Sequence, residues 1–352
     1  MRSTATQDLA DARTLIDAAR AGDQEAFGRI VDRERGALEA HCYRMLGSAH
    51  DAEDAVQETF VKAWRALPDY RGQSALGTWL HRIATNVCID AIRRRPKRVL
   101  PIDYGTVPQE GPGEQPQPVR EPVWVEPFPD QDLAAGEGPA TPAARYEQRE
   151  AVELAFVAAL QHLSAKQRAV LILRDVLGFS ANEVAAILET TVPSVTSALQ
   201  RARQALERRL PEQSQQAVLR SLGDERLRDL VNRFASALEA GDVGAILALL
   251  AEDAMFSMPP YPGWCRGREE IAGSWLMPES MPSELRFVPT SASGQLALGV
   301  YRLDHEAGRY LPVCLDVLAV RDGKITDVIA FRSLDDYSRF GLPESLPPDR
   351  DP

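Results

Sequence analysis

The sequence predicts a multidomain chain: two all-α segments, a helical bundle and a helix-turn-helix, followed by a domain that mixes helices with an antiparallel sheet. Three observations predict it. Apolar residues recur at helical spacing over about 14–95 and again over about 142–210. Between them, residues 99–142 hold ten of the 25 prolines and eight acidic residues against one basic, Arg120. From about Ala254 the pattern turns to short strands. A length of 352 residues agrees with two to three domains. Apolar residues at 44% and charged residues at 26% are ordinary globular values and exclude a wholly disordered or fibrous chain.

Charge narrows the partners. Forty Lys and Arg against 51 Asp and Glu give a net charge of −11, a poor global match to a polyanion. A nucleic-acid partner therefore requires cations concentrated locally. No apolar run approaches the roughly 18 residues that span a bilayer, so no membrane is expected as a partner. The opening stretch, residues 1–15, has no apolar core of a secretory signal. Cys42, Cys88, Cys265 and Cys314 lie far apart in sequence, without a CxxC pair or histidine at ligand spacing. A disulfide framework, a metal site and a cofactor are not expected, and a reducing cytoplasm fits.

In the first segment, residues 50–64 read as a helix whose Ala55, Val56, Phe60 and Ala63 point inward while Asp51, Asp54, Gln57 and Glu58 cluster outward. Taken alone, that acidic face reads as simply solvated. The next helix, residues 74–95, carries Leu76, Leu80, Ile83, Val87 and Ala91 as one buried stripe, with Ser74 placed to cap it. Thr78, Arg82, Asn86 and Arg93 fall on a separate polar, basic face. The helix runs out through Arg93-Arg94-Arg95-Pro96-Lys97-Arg98. Favourable charges at the end of a helix dipole account for two or three cations, not five. The loop before it, Tyr70-Arg71-Gly72-Gln73, adds an aromatic to the cations, the mixture that holds an unstacked single strand.

Proline excludes helix interiors and sheet ladders, so 99–142 should be extended and acidic. Within it, Pro122 to Pro129 sets Trp124 and Phe128 in a polyproline-prone frame, which suits either a docked segment or a merely sticky linker. Residues 163–208 then hold a helix-turn-helix. Ser180 and Glu183 make a capping box, with Phe179 and Val184 as the staple. Val184, Ile187 and Leu188 face inward, a turn follows at Glu189–Thr190, and Thr191 caps the second helix. Val195, Leu199 and Ala202 face the core, leaving Ser194, Thr196, Ser197, Gln200, Arg201 and Arg203 outside. Short hydroxyl and amide side chains followed by arginines suit base edges first and phosphates second. A plain helical hairpin with a polar surface is the alternative.

In order, Asp51 to Phe60, Tyr70 to Ser74, Thr78 to Asn86, Asp90 to Arg95 and the helix-turn-helix ending at Arg203 resemble the extracytoplasmic-function sigma factors. The likeness covers about 15–98 and 145–210. It implies sigma region 2 over 15–98 and sigma region 4 over 143–210, joined by the 99–142 linker. It also implies core RNA polymerase and promoter DNA as partners. Asp51, Asp54, Gln57 and Glu58 would then meet the beta-prime clamp helices. Tyr70, Arg71, Gln73, Ser74, Thr78, Trp79, Arg82, Asn86 and Arg93 would take the −10 element. Thr191, Ser194, Thr196, Ser197, Gln200, Arg201 and Arg203 would read the −35 element. Glu189 departs from the pattern, since many relatives carry glycine in that turn.

Residues 217–345 begin with a helix striped by Leu227, Leu230, Val231, Phe234 and Leu238 and ended by Gly241. A second helix at 243–250, a Pro/Tyr/Trp loop, a short helix at 268–275 and strands at 254–258, 285–289, 296–303, 310–320 and 325–332 follow. Asp322-Gly323 marks the last hairpin. This order, with Gly267 to Ile271, resembles the cone-shaped α+β SnoaL-like fold, an appendage of the branch typified by mycobacterial sigma factor G. Isomerases of that fold place a carboxylate base where this chain has Met258. His305, Asp316 and Asp327 could titrate in a pocket, although catalysis is not expected. Met258, Tyr261, Trp264, Trp275 and His305 are a candidate pocket for a small ligand or for the Trp124–Phe128 segment. The expected function is promoter-directed transcription initiation with the C-terminal domain acting in cis. An enzyme fused to a DNA-binding regulator and an ordinary repressor or activator are the alternatives.

Overall fold

The computed structural model describes residues 13–104, 124–134, 150–211, 213–276, 284–332, 334 and 336–348. Two compact units emerge: Met1–Arg95 with Asp132–Ala144 and Leu160–Arg209, and Pro96–Gln131 with Arg145–Ala159 and Leu210–Pro352.

The first unit is helical. After a helical stretch at 13–20 come α1 (Gln24–Leu46), α2 (Ala49–Ala66) and α3 (Leu76–Arg94). Asp23 and Ser48 cap α1 and α2 with their side chains, and Gly47 closes α1 in the left-handed conformation. The bundle buries Leu38, Tyr43, Met45, Val56, Ala63, Leu80, Ala84 and Val87. Leu76, Ile83 and Ala91 are only half-buried, so the apolar stripe of α3 is narrower than expected. Its place is taken by buried polar groups: His41 Nε2 lies 2.9 Å from Thr85 Oγ1, whose hydroxyl donates to His81 C=O. The hydroxyl's single proton is thereby used, so His41 must be the donor at Nε2. His81 Nδ1 donates to Gly77 C=O, and burial pushes both imidazoles to lower pKa, which keeps them neutral.

The helix-turn-helix completes this unit. The helix α4 (Leu154–Gln161) leads to α5 (Ala165–Leu171), which starts on a Ser164–Gln167 capping box and runs on through a π-helical turn, Ile172–Val176. Next come α6 (Ala181–Ile187), with the expected Ser180–Glu183 capping box, and α7 (Val192–Glu207), capped by Thr191. The buried Arg168 guanidinium donates to Met45 C=O at the end of α1, and to Gln161 Oε1, Gln161 C=O and Leu163 C=O. One cation thus satisfies four acceptors that burial would otherwise orphan. α3 packs against α5 and α6.

In the second unit, α8 (Gln215–Leu222), α9 (Asp224–Glu239) and α10 (Val243–Leu249) precede β1 (Leu250–Ser257), β2 (Trp264–Arg266), α11 (Arg268–Ser274), β3 (Leu285–Ala292), β4 (Gln295–Asp304), β5 (Arg309–Arg321) and β6 (Lys324–Phe331). The sheet order is β2-β1-β6-β5-β4-β3, antiparallel except for β1 beside β6. β2 was not expected; three residues inside an aromatic loop carry no alternating pattern. The Asp322-Gly323 turn has positive φ at both positions, as such a hairpin requires. Leu230, Phe234 and Leu238 of α9 and Ile246 of α10 pack on Phe256, Leu298, Leu318 and Val328. The C-terminal segment crosses β4 at Gly299, where a Cβ would stand 2.6 Å from Leu342 Cδ1, so any larger residue there would push the Leu342 side chain aside.

Part of the proline-rich segment belongs to this unit. Val125 N donates to Val99 C=O at 2.9 Å, and the buried Arg98 donates to Trp124 C=O and Glu126 Oε1 at 2.8 and 3.1 Å. Phe128, 1% exposed, exchanges bonds with Ser293: its N donates to Oγ at 2.9 Å, and its C=O accepts from Ser293 N at 2.7 Å. Asp130 Oδ1 accepts from Gly294 N at 2.7 Å. The segment is therefore docked on the β3–β4 turn, not free. It also contains two turns of helix, Pro101–Tyr104 and Asp130–Ala134, where extended chain was expected. Residues 105–123 and 135–149 lie outside the described residues.

Asp316 and Glu153 are buried carboxyls of this unit. Asp316 pairs across the sheet with Leu298 and Ala330, and the polar group beside it is Cys314 Sγ at 3.4 Å. Desolvation pushes it up to about 7. Glu153, also pushed up to about 7 by burial, accepts from Gln215 N and Gln216 N at 3.0 and 2.7 Å. Both folded values lie above the unfolded ones, so the native state holds the extra protons. The stability linked to them is present below about pH 4 and is lost as pH rises through about 7. The unit should melt several degrees higher at pH 5.5 than at pH 8, with Asp316→Asn narrowing the gap; a pH-independent melting temperature contradicts this. Phe128→Ala should cost on the order of 3 kcal/mol in denaturant titrations and expose 124–130 to protease, whereas an unchanged midpoint means the docking carries no stability.

Candidate nucleic-acid interface

On α2 the structure separates the four acidic-face residues. Asp54, Gln57 and Glu58 are exposed, the first near His50 at 3.9 Å and the last bridged to Lys62 at 2.8 Å. Exposed i,i+4 pairs are worth a few tenths of a kcal/mol and leave the carboxylates available. Asp51 is not on this face. It is 7% exposed and ion-paired with Arg95, and its N is capped by Ser48 Oγ. Periodicity could not show this, because the partner lies 44 residues away. Val61 joins the exposed face at 50% exposure, a residue the sequence pattern left unassigned.

The loop before α3 also differs from expectation. Tyr70 is buried; its hydroxyl donates to Ser74 C=O at 2.6 Å and its ring packs on Trp79 at 5.1 Å. It shapes the loop from within and does not offer its face to a base. Ser74 takes part through its carbonyl and does not cap α3, whose N-cap is Ala75 without a side-chain bond. Arg71, Gln73 and Ser74 are exposed around Gly72, whose positive φ makes the bend. Thr78 and Trp79 are half-buried, while Arg82, Asn86 and Arg93 are exposed along one side of α3. Of the five cations at its end, Arg95 is held by Asp51 and Arg98 is buried against Trp124 and Glu126, so the expected cluster is divided.

On α7, Thr196, Ser197, Gln200, Arg201 and Arg203 are exposed and Ser194 is half-buried. Thr191 Oγ1 accepts from Ser194 N, and Thr196 Oγ1 donates back to Val192 C=O. These two hydroxyls serve the helix first. Arg203 is gripped by Asp175 from the π-helical turn, Nε to Oδ2 at 2.8 Å and Nη2 to Oδ1 at 2.7 Å. Sequence reading missed Asp175, since only the fold brings residues 28 apart together. Glu189 has φ +48, the conformation that glycine takes without strain, and its carboxylate meets Arg82 Nη2 at 2.5 Å.

The candidate pocket residues of the C-terminal domain do not form one group. Arg332 lies near Met258 Sδ at 3.7 Å and over the Tyr261 ring at 5.9 Å. Trp275 stacks on Phe256 at 3.9 Å as part of the core, and Trp264 keeps a buried Nε1 without a partner. His305 stands in the exposed β4–β5 turn, paired with Glu284 at 2.9 Å. Asp327 is half-buried, and desolvation raises its carboxyl. Among the described residues no group of three or more metal ligands occurs, and no helix is long and apolar enough to cross a membrane.

Residues 30–98 match Sigma-70 region 2, residues 153–206 match Sigma-70 region 4, and residues 231–328 match the SnoaL-like domain. The chain is 41% identical over 329 residues to the ECF RNA polymerase sigma factor SigG of Mycobacterium tuberculosis, covering 93% of this chain and 86% of that protein. It is 31% identical to SigW of Bacillus subtilis over 54% of this chain and 91% of that one. The crystal structure of Mycobacterium tuberculosis SigJ superposes with a TM-score of 0.55 at 19% identity, over 90% of this chain and 99% of that one, a likeness of fold. A region 2 helix with an exposed basic side, a capped helix-turn-helix and an appended SnoaL-like sheet thus occur together in one chain whose relatives are transcription initiation factors and not enzymes. The chain belongs to the extracytoplasmic-function sigma factors, which direct RNA polymerase to specific promoters.

Proposed function

We propose that this chain engages the beta-prime clamp helices of core polymerase through Asp54, Gln57 and Glu58. In this reading Arg71, Gln73, Ser74, Thr78, Trp79, Arg82, Asn86 and Arg93 hold the opened −10 strand. Ser194, Thr196, Ser197, Gln200, Arg201 and Arg203 read the −35 element, with Thr191 fixing the start of their helix. The observation that carries it is the single exposed side of α3, where Arg82, Asn86 and Arg93 stand clear of the bundle core. Unstacking a base costs a few kcal/mol, and cations plus an aromatic edge at Trp79 offset that cost only when the strand is open. α7 offers hydroxyl and amide groups to base edges and guanidinium groups to phosphates.

The C-terminal domain is proposed to act in cis on this activity. Support comes from the docked linker: Phe128 and Asp130 are bonded to the β3–β4 turn, so the tether between the two DNA-binding segments is partly consumed by that domain. The Met258, Tyr261 and Arg332 group is the proposed place for a small ligand. Residue boundaries of 15–98, 99–142, 143–210 and 217–345 are part of the same proposal.

Run-off transcription with purified core polymerase tests it. Arg82→Ala should lower open-complex formation, read by permanganate reactivity, more than it lowers initial duplex binding; an equal loss of both refutes the −10 assignment. Arg201→Ala should weaken binding across sequences and reduce the salt slope by about one. Removing residues from 217 onward should change output, and identical output at every promoter refutes the cis role.

A further inference from the structure

We infer that Glu189 is an internal competitor for DNA: its carboxylate holds Arg82 where a promoter phosphate or base edge would, and ties the −10 helix to the turn before the −35 reading helix until polymerase separates them. This inference rests on the proposed DNA role of Arg82. The contact joins residues 107 apart, with Arg82 Nη2 and Glu189 Oε1 at 2.5 Å. It lies at the edge of a larger packing in which His81 meets the edge of Phe179 at 5.6 Å and Arg168 donates to Met45 C=O. Both Arg82 and Glu189 are about half exposed or more, so the pair is reachable by solvent and by DNA.

Two features set this pair apart from an ordinary surface ion pair. Glu189 occupies a left-handed position, φ +48, that disfavours side chains, so a strained residue has been placed where its carboxylate meets the −10 helix. It also stands two residues before the Thr191 cap of α7. Arg82 is therefore within a few residues' reach of the start of the −35 reading helix. The two promoter elements are named for positions roughly 25 base pairs apart, on the order of 85 Å along a duplex rising 3.4 Å per pair. One molecule cannot touch both while Arg82 touches Glu189. The Asp175–Arg203 pair differs: both partners belong to the helix-turn-helix, so it need not break on DNA and holds the guanidinium fork in place.

An exposed pair of this kind shifts a binding equilibrium by about two- to five-fold. The test compares the full chain, Glu189→Gln and Glu189→Gly, without core polymerase, for affinity toward a labelled single strand carrying the −10 sequence. Both variants should bind about two- to five-fold more tightly than the parent at low salt, and the gain should shrink as salt rises. In an Arg82→Ala background the gain should vanish. With core polymerase bound, parent and variants should bind the promoter alike, because the contact is already broken. Unchanged or weaker binding by both variants, or a gain that survives Arg82→Ala, overturns the competitor role while leaving sigma activity intact. If the parent holoenzyme itself ignores the −10 sequence, it is the DNA assignment of Arg82 that fails. Glu189→Gly removes the backbone strain and Glu189→Gln keeps the side-chain volume, so a folding defect in one is separated from loss of the carboxylate by the other.

Discussion

In a chain of net charge −11, individual arginines are paired with individual carboxylates, and that pairing constrains what each guanidinium can do. Arg82 meets Glu189, Arg203 meets Asp175, Arg95 meets Asp51 and Arg98 meets Glu126. Each exposed pair is worth at most about 1 kcal/mol, so none fixes the fold. Their effect is on what the arginines can do next. An arginine already satisfied by a carboxylate gains less from a phosphate than a free one, and the net negative charge adds long-range repulsion between chain and DNA.

Local structure was legible where the signal is local. The Ser180–Glu183 capping box, the Thr191 cap and the Asp322-Gly323 hairpin all formed as their side-chain chemistry requires. Strands β3 to β6 were found within a few residues because their alternation is long enough to read. Where the expectation failed, the cause is a side-chain partner that periodicity does not show, whether distant in sequence or only a few residues on. Asp51 looked solvated until Arg95 reached it, and Tyr70 looked available to a base until its hydroxyl found Ser74 C=O and its ring found Trp79. The apolar stripe of α3 is narrower than expected because His81 and Thr85 are buried beside it, Thr85 bonded to His41 Nε2 and His81 C=O and His81 Nδ1 to Gly77 C=O. Local periodicity counts polarity; it cannot count satisfied polarity.

The linker shows the same lesson in reverse. Proline removes donors and helical options, which left two readings of the Trp124–Phe128 segment open. The third dimension decides for docking, because Ser293 offers both a donor and an acceptor to the Phe128 backbone and Arg98 caps the Trp124 carbonyl. Ser293 itself has positive φ and is fully buried, a costly conformation that makes sense where its amide and hydroxyl both serve the incoming strand. Aromatic anchors with backbone bonds at each side give an extended segment the stability that its composition alone denies it.

The four carboxylate–arginine pairs differ in the elements they join and in their burial. Asp175 and Arg203 both lie in the helix-turn-helix, so any motion of that module carries them together. Arg98 and Glu126 likewise both lie in the C-terminal unit. Asp51 and Arg95 both lie in the helical bundle, and the Asp51 carboxylate is buried there. Glu189 and Arg82 alone among these four pairs join α3 to the turn before α7, and they do so at an exposed edge where opening costs least. A contact that is weak, exposed and shared by two DNA-reading elements is suited to be exchanged for DNA, whereas a buried or intramodular one is suited to hold a side chain still. The distinction comes from topology and burial, since the chemistry of all four pairs is the same.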